Sequence, residues 1–366
     1  MRIGFDVRAL AELGYEVDLL TLPIGDDVEI PGVRIIRVPN LFLARNVAIG
    51  PSLVKAAFDA VLFLYGSCLA VRRRYAFVHG VEDSGIVALV IARLTGARAV
   101  FEKHSDVTAY RKGALLRATM WGYARVERFT LRHADAVIGT GPGLVREAEA
   151  LRGGRRAHHI FDIPSSLAEA SPERTAEIRG RLKRREDDVL IAYVGSFAVY
   201  QGVDLLFDAM PLVVERCPEA RFVVIGGTPR EIGERREQLR ERGAEEAVTF
   251  VGKVPPDTLP DYLSASDILL SPRVTGVNTP LKILDYFKAG RAIVATDMAS
   301  HRLILDETTA ALARPEPAAF AEGIIGLVRD PARRRALGER GRALARERYN
   351  FAAFKRRLGE CYGGAA

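Results

Sequence analysis

Cysteine is scarce in this 366-residue chain: Cys68, Cys217 and Cys361 stand far apart, and no C-x-x-C pair occurs. That spacing supports neither a disulfide framework nor a cysteine-based zinc site, and it suits a reducing compartment. No D-x-D triplet closes an apolar run, so no paired carboxylates for a divalent cation are evident. The N-terminal MRIGFDV lacks a charged flank, a long apolar segment and a cleavage site, so a signal peptide is not expected. The longest apolar stretch, residues 56–71, is broken by Asp59 and by Gly66-Ser67. It falls short of the roughly 20 clean residues a membrane span requires. The expectation is a cytoplasmic protein, at most peripheral to a membrane.

With 48% hydrophobic and 27% charged residues, the composition is that of a globular enzyme and excludes disorder. The length favours two domains, each with its own core. Of the net charge of +7, five charges fall in residues 1–162. A basic half steers toward nucleic acid, anionic lipid headgroups or phosphorylated substrates, and the plainer reading is arginine as a surface solubiliser.

Short apolar runs alternate with helical patterns throughout, which predicts α/β architecture with parallel sheets. The first half carries strand-like runs at 2–7, 16–20, 76–79, 98–103, 136–139 and 159–163. The second carries them at 189–195, 221–226, 248–251, 267–271 and 292–296. Between them, residues 164–188 exchange apolar periodicity for Pro, Ser and charge, as an interdomain linker does. After the run at 2–7, about seven residues remain for a crossover that normally takes a dozen or more. Either a first loop and the start of its helix are absent between Val7 and Arg8, or the connection is unusually tight; the first is the expectation, with ALAELGYEVDLLT ending that helix at Gly14.

Residues 271–297, SPRVTGVNTPLKILDYFKAGRAIVATD, are the most informative stretch. A strand ends at Ser271, a loop holds Gly276, and Thr279 is placed to cap a helix with Pro280 in its first position. Free N–H groups at such a helix start, on the carboxyl edge of a parallel sheet, bind phosphate. Asp285 on this helix has two readings: a carboxylate that accepts from a ribose diol, or an exposed acid paired with Lys282 at i, i+3.

This stretch resembles the donor-binding segment of the retaining GT-B glycosyltransferases of glycosyltransferase family four. The resemblance continues through residues 193–210, 222–232, 248–272 and 303–324, and in the first half through 77–106 and 134–145. It implies two Rossmann-like, doubly wound parallel-sheet domains facing a central cleft: an acceptor-side domain at 1–164 and a nucleotide-sugar domain at 165–345. A helix at 346–366 crosses back to the first.

The family's motifs imply donor contacts at Gly195, Ser196, Gln201, Lys253, Val254, Arg273, Thr275, Gly276, Val277, Asn278, Thr279, Lys282 and Asp285. Of the two acids that the family sets with seven residues between them, the first position holds Thr275, and the second, two residues displaced, is Asp285. Where an Arg and a Lys usually grip the diphosphate stand Ser196 and Gln201. Arg273 or Lys282 would have to supply a cation. His104 matches a histidine close to the sugar and is the candidate catalytic residue, with His79, Glu82 and Asp106 on the acceptor side.

Weaker signals carry little. GTGPG at 139–143 misplaces its third glycine for a nicotinamide fingerprint, and His158-His159 lacks a third ligand. Arginines at 72–74, 111, 125, 128 and 132 fit a membrane surface or plain solvation, and the apolar helix at 52–71 fits a core. The implied activity is metal-independent, cofactor-free, retaining transfer of a sugar from a nucleotide diphosphate to a hydroxyl. The acceptor is a glycan, a small molecule or a lipid-linked species at the inner membrane surface, as in cell envelope polysaccharide synthesis, and no nucleic acid is involved. The alternatives are a nucleotide-sugar epimerase of the same fold and a non-catalytic nucleotide-sugar binder.

Overall fold

A computed structural model describes residues 2–25, 28–41, 53–104, 114–276 and 279–364. They form two units, one of residues 1–162 with 351–366 and one of 163–350.

In the first unit α1 (Arg2–Glu12) precedes β1 (Val17–Thr21), β2 (Val33–Arg37) and α2 (Leu53–Arg73). Then β3 (Phe77–Val81), α3 (Ser84–Thr95), β4 (Arg98–Lys103), α4 (Ala114–His133), β5 (Ala136–Gly139), α5 (Pro142–Leu151) and β6 (His158–His159) alternate. Strands β3-β4-β5-β6 make one parallel sheet and β1-β2 a second. The strand expected at 2–7 is a helix. Ile3, Phe5 and Val7 alternate with Arg2, Gly4 and Asp6, which mimics a strand over six residues. Over eleven residues the buried set is Asp6, Val7, Ala9 and Leu10, one face of a helix. Gly14, at φ +92°, follows it in the left-handed region that glycine tolerates. The short crossover therefore does not arise, because residues 2–7 belong to α1 and not to a strand.

The second unit opens with α6 (Pro172–Leu182), β7 (Val189–Val194), α7 (Val203–Arg216), β8 (Ala220–Ile225), α8 (Pro229–Glu241) and β9 (Val248–Gly252). There follow α9 (Leu259–Ala265), β10 (Ile268–Ser271), α10 (Lys282–Ala289), β11 (Ala292–Thr296) and α11 (Ala299–Arg302). It closes with β12 (Ala311–Ala313), α12 (Pro317–Arg329) and α13 (Pro331–Glu347), and α14 (Phe351–Gly364) belongs to the first unit. The sheet runs β12-β11-β10-β7-β8-β9, every pair parallel. Leu190, Ile191 and Ala192 of β7 and Ile268, Leu269 and Leu270 of β10 are fully buried, as strands covered on both faces must be. The polar α6 is fastened to this unit. Ser171 caps it, its N–H donates to Asp261 at 2.7 Å, and Arg174 and Arg179 pair with Asp261 and Asp267.

Candidate functional site

Chain order reverses beside β7. From β7 the chain moves to β8 and β9 on one side, and β10 returns on the other. The loops leaving β7 and β10 therefore lie side by side at the carboxyl edge, the place where open α/β sheets hold ligands. Two glycines let the strand ends close up. Gly202, at φ +71°, has its missing Cβ position inside the carbonyl of Pro272, and Gly226, at φ +125°, sits likewise against the carbonyl of Gly195. Val274 N–H donates to the Tyr200 carbonyl at 3.3 Å.

On the first loop the Tyr193 hydroxyl donates to the exposed Ser196 carbonyl at 2.8 Å, and Gln201 N–H closes a 3₁₀ turn on Ala198. On the second, Arg273 Nε donates to the Thr275 carbonyl at 2.7 Å and its guanidinium lies over the Tyr200 ring. Thr275 and Gly276 are exposed. Beneath this loop His301 lies between the Ser271 hydroxyl, 2.8 Å from Nε2, and the Thr296 carbonyl, 2.7 Å from Nδ1. Burial pulls that imidazole down to about 4, so it is neutral at physiological pH.

The helix after this loop starts later than expected. Thr279 does not cap it and Pro280 is not its first residue, because α10 begins at Lys282 with Leu281 in the capping position and no side-chain cap. It ends as expected, with Gly290 at φ 65°. Lys282 and Asp285 do not pair. Asp285 Oδ1 accepts from Ser165 N–H at 2.6 Å and Ser165 Oγ at 2.9 Å, so this acid, read as open to a ribose, already holds a serine of its own unit. Burial raises its carboxyl to about 6 against the pull of those bonds. Lys282 turns the other way, its Nζ buried, without a hydrogen-bond partner, 4.7 Å from the centre of the Tyr193 ring. Exposed Lys253 and half-buried Val254 follow β9, two strands from β7. Val277 and Asn278 lie outside the described residues.

In the first unit a buried carboxylate gathers the polar groups. His104 directly follows β4, and its Nε2 is 2.9 Å from Glu102 Oε1. His79 lies within β3, its Nε2 3.2 Å from Glu102 Oε2 without hydrogen-bond geometry and its Nδ1 2.8 Å from the Tyr362 hydroxyl of α14. Arg2 of α1 lies 2.8 Å from Glu102 Oε1 and 3.2 Å from Asp162. Burial alone would raise the Glu102 carboxyl, but Arg2 and the two neighbouring histidines hold it well below the usual range. Burial would likewise lower His104, and Glu102 overcomes it and raises its pKa. Glu82, at φ 52°, accepts the His104 N–H. Asp106 lies outside the described residues.

The description "Glycosyl transferases group 1" matches residues 188–330, and "Glycosyl transferase 4-like domain" matches residues 6–161. This chain belongs to the family-four glycosyltransferases. A phosphatidylinositol N-acetylglucosaminyltransferase chain of Arabidopsis thaliana is 26% identical over 328 residues, covering 85% of the chain. The chain spans about two thirds of the length of that relative, 66%. Two solved structures share the GT-B fold. One is sucrose-phosphate synthase of Thermosynechococcus elongatus, with TM-score 0.74, 22% identity, and 98% and 90% of the two chains covered. The other is Anabaena HepE in complex with UDP and glucose, with TM-score 0.73, 16% identity, and coverage of 99% and 95%.

In this family-four chain, the groups that sequence reasoning missed are Tyr193, Ser165, Glu102, Arg2 and Tyr362. Each meets its partner across long sequence separations or inside a strand, where an apolar pattern hides a functional side chain. Only the odd Glu102 and Lys103 ending an apolar strand offered a signal, and Lys103 is fully buried between Glu127 and Glu147.

Proposed function

We propose that the chain transfers a sugar from a nucleotide diphosphate to a hydroxyl acceptor, with retention of anomeric configuration and without a divalent cation. The observation that carries the reading is the convergence of the loops after β7 and β10 at the reversal of the second sheet, beside the uncapped start of α10. Free N–H groups there would hold the departing diphosphate, and no carboxylate pair for a double displacement accompanies them. Donor contacts are assigned to Gly195, Ser196, Gln201, the loop from Arg273 to Thr279, Lys282 and Asp285. The ribose would compete with Ser165 for Asp285. His104 is assigned to the sugar, and His79 and Glu82 to the acceptor side. The lipid named for the Arabidopsis relative favours a lipid-linked acceptor.

The test is a panel of nucleoside diphosphates and their sugars, read by thermal shift and then by product analysis in excess chelator. One nucleotide should raise Tm, and the product should keep the donor's anomeric configuration with no loss of rate to the chelator. No stabilisation by any nucleotide, an inverted product, or activity restored only by magnesium or manganese would each overturn the corresponding part. Asp285→Asn should weaken nucleoside diphosphates more than inorganic pyrophosphate, which has no ribose; equal losses would leave Asp285 a purely structural acid.

A further inference from the structure

We infer that Lys282 supplies the buried positive charge that grips the donor's phosphates. The inference rests on the donor-site reading above and goes further by naming one residue for the charge. From Gly195 to Gly202, the loop after β7 carries no charged side chain at all. On the described part of the loop after β10, from Pro272 into the start of α10, the charged residues are Arg273 and Lys282. Arg273 is already engaged, through Thr275 and Tyr200. Lys282 is not.

The place of its ammonium is specific. A Cβ built on Gly195 would lie 3.0 Å from Lys282 Nζ and 2.9 Å from the Tyr193 hydroxyl. The absent side chain of Gly195 thus opens the turn after β7 directly onto the ammonium. A buried cation without a partner is unfavourable until a counter-charge reaches it. Among the described residues no anion offsets it. Around it stand Tyr193 of β7, Arg273 of the loop after β10 and His301 of α11, while on its own helix Asp285 is bonded to Ser165 and Lys288 to the carbonyls of Ser166 and Ala168. The local field is positive, and the uncapped start of α10 adds to it. A ligand bearing phosphate is the counter-charge this arrangement lacks.

Burial, reinforced by Arg273, pushes the Lys282 ammonium down to about 7. An anion at Nζ restores the charged form, so phosphate binding above neutrality takes up a proton. Affinity is then full below about 7 and declines as pH rises through the higher pKa of the complex. His301 stays neutral in this range, and a nucleoside diphosphate is already fully ionised at pH 8, so with that ligand neither is the source of the uptake.

The experiment measures inorganic pyrophosphate, UDP, ADP, GDP and uridine on the wild type, Lys282→Met and Lys282→Arg. Calorimetry at pH 8 in two buffers of different ionisation enthalpy gives the proton count. Lys282→Met should lose roughly 10- to 100-fold in affinity for pyrophosphate and for the nucleotide that binds, the scale of one charged hydrogen bond. It should bind the nucleotide without proton uptake and melt no lower than the wild type, since an orphaned buried charge has gone. Lys282→Arg should recover part of the affinity and none of the uptake. Unchanged affinity in Lys282→Met, or a fall in its Tm with phosphate binding intact, overturns the inference and makes Lys282 structural. A wild type that binds neither pyrophosphate nor any nucleotide overturns the donor-site reading and this inference with it.

Discussion

Glu102 shows how one residue decides the state of several others. Fully buried at the end of β4, it bonds His104, lies against His79 and neutralises Arg2. It therefore sets the orientation and charge of His104 without facing solvent itself. If His104 acts on the sugar, His104→Ala should lower kcat by roughly 10²-fold with nucleotide affinity and Tm little changed. A Tm that drops by many degrees while folded enzyme keeps its turnover would make it a packing histidine. Glu102→Gln should cost roughly 1–3 kcal/mol, because Arg2 and His104 lose their shared buried carboxylate while Asp6 and Asp162 remain as partners of Arg2. Its pH dependence has a definite sign. His104 is raised above its unfolded value, so the stability it draws from Glu102 is full below about 6.5 and is lost as pH rises through the folded pKa. The Tm gap between wild type and Glu102→Gln should narrow from pH 6 to pH 9, and a gap constant with pH would remove His104 from the pair.

At the scale of elements, the site depends on how closely the loops after β7 and β10 approach. Gly202 permits that approach twice over, by its positive φ and by the space its side chain would take from the Pro272 carbonyl. Gly202→Ala must move backbone. It should destabilise by roughly 1–3 kcal/mol, as strained positions do, and weaken nucleotide binding by shifting the loop after β10. Chemical denaturation and nucleotide titration of the one variant check both, and wild-type values in each would show the contact to be loose. These close approaches join residues about 70 positions apart, which is why sequence reading locates the loops but not their contact. What it reads well is local: β10, the loop after it and α10 announce themselves by an apolar run, Gly276 and Gly290. It misses β2, whose five residues include two arginines, and β12, which at three residues is too short to show a period. The helix at the N-terminus escapes it because an alternating sextet outweighs the longer helical face. Asp285 is recognisable as an acid on the helix, but its serine partner is 120 residues away.

For the whole molecule, the uneven charge is the property with a consequence for location. Five of the seven excess positive charges lie in residues 1–162. Three neighbouring helices of the first unit, α2, α3 and α4, display them beside apolar side chains that are left exposed. Leu64, Val71, Leu94, Trp121 and Phe129 are all at least half exposed, and Arg72, Arg73, Arg74, Arg93, Arg125, Arg128 and Arg132 are exposed with them. Arg125 stacks over Trp121 at 4.7 Å. Among the described side chains of these helices no acid is exposed, since Glu127 is buried on Lys103 and Asp59 is half-buried. No helix among the described residues is long and apolar enough to cross a membrane. Aromatic and aliphatic groups set among arginines instead suit the interface of an anionic bilayer, where each basic residue contributes about 1 kcal/mol. The protein should therefore sediment with vesicles containing phosphatidylglycerol, not with pure phosphatidylcholine, and salt should release it. Changing Arg125, Arg128 and Arg132 together to Gln should weaken that binding by roughly 10²-fold, three such contributions, and leave the donor-nucleotide affinity of the second unit intact. Equal binding to neutral vesicles, or no loss in the triple variant, would mean that these arginines serve solubility alone, and the acceptor would then be sought in solution.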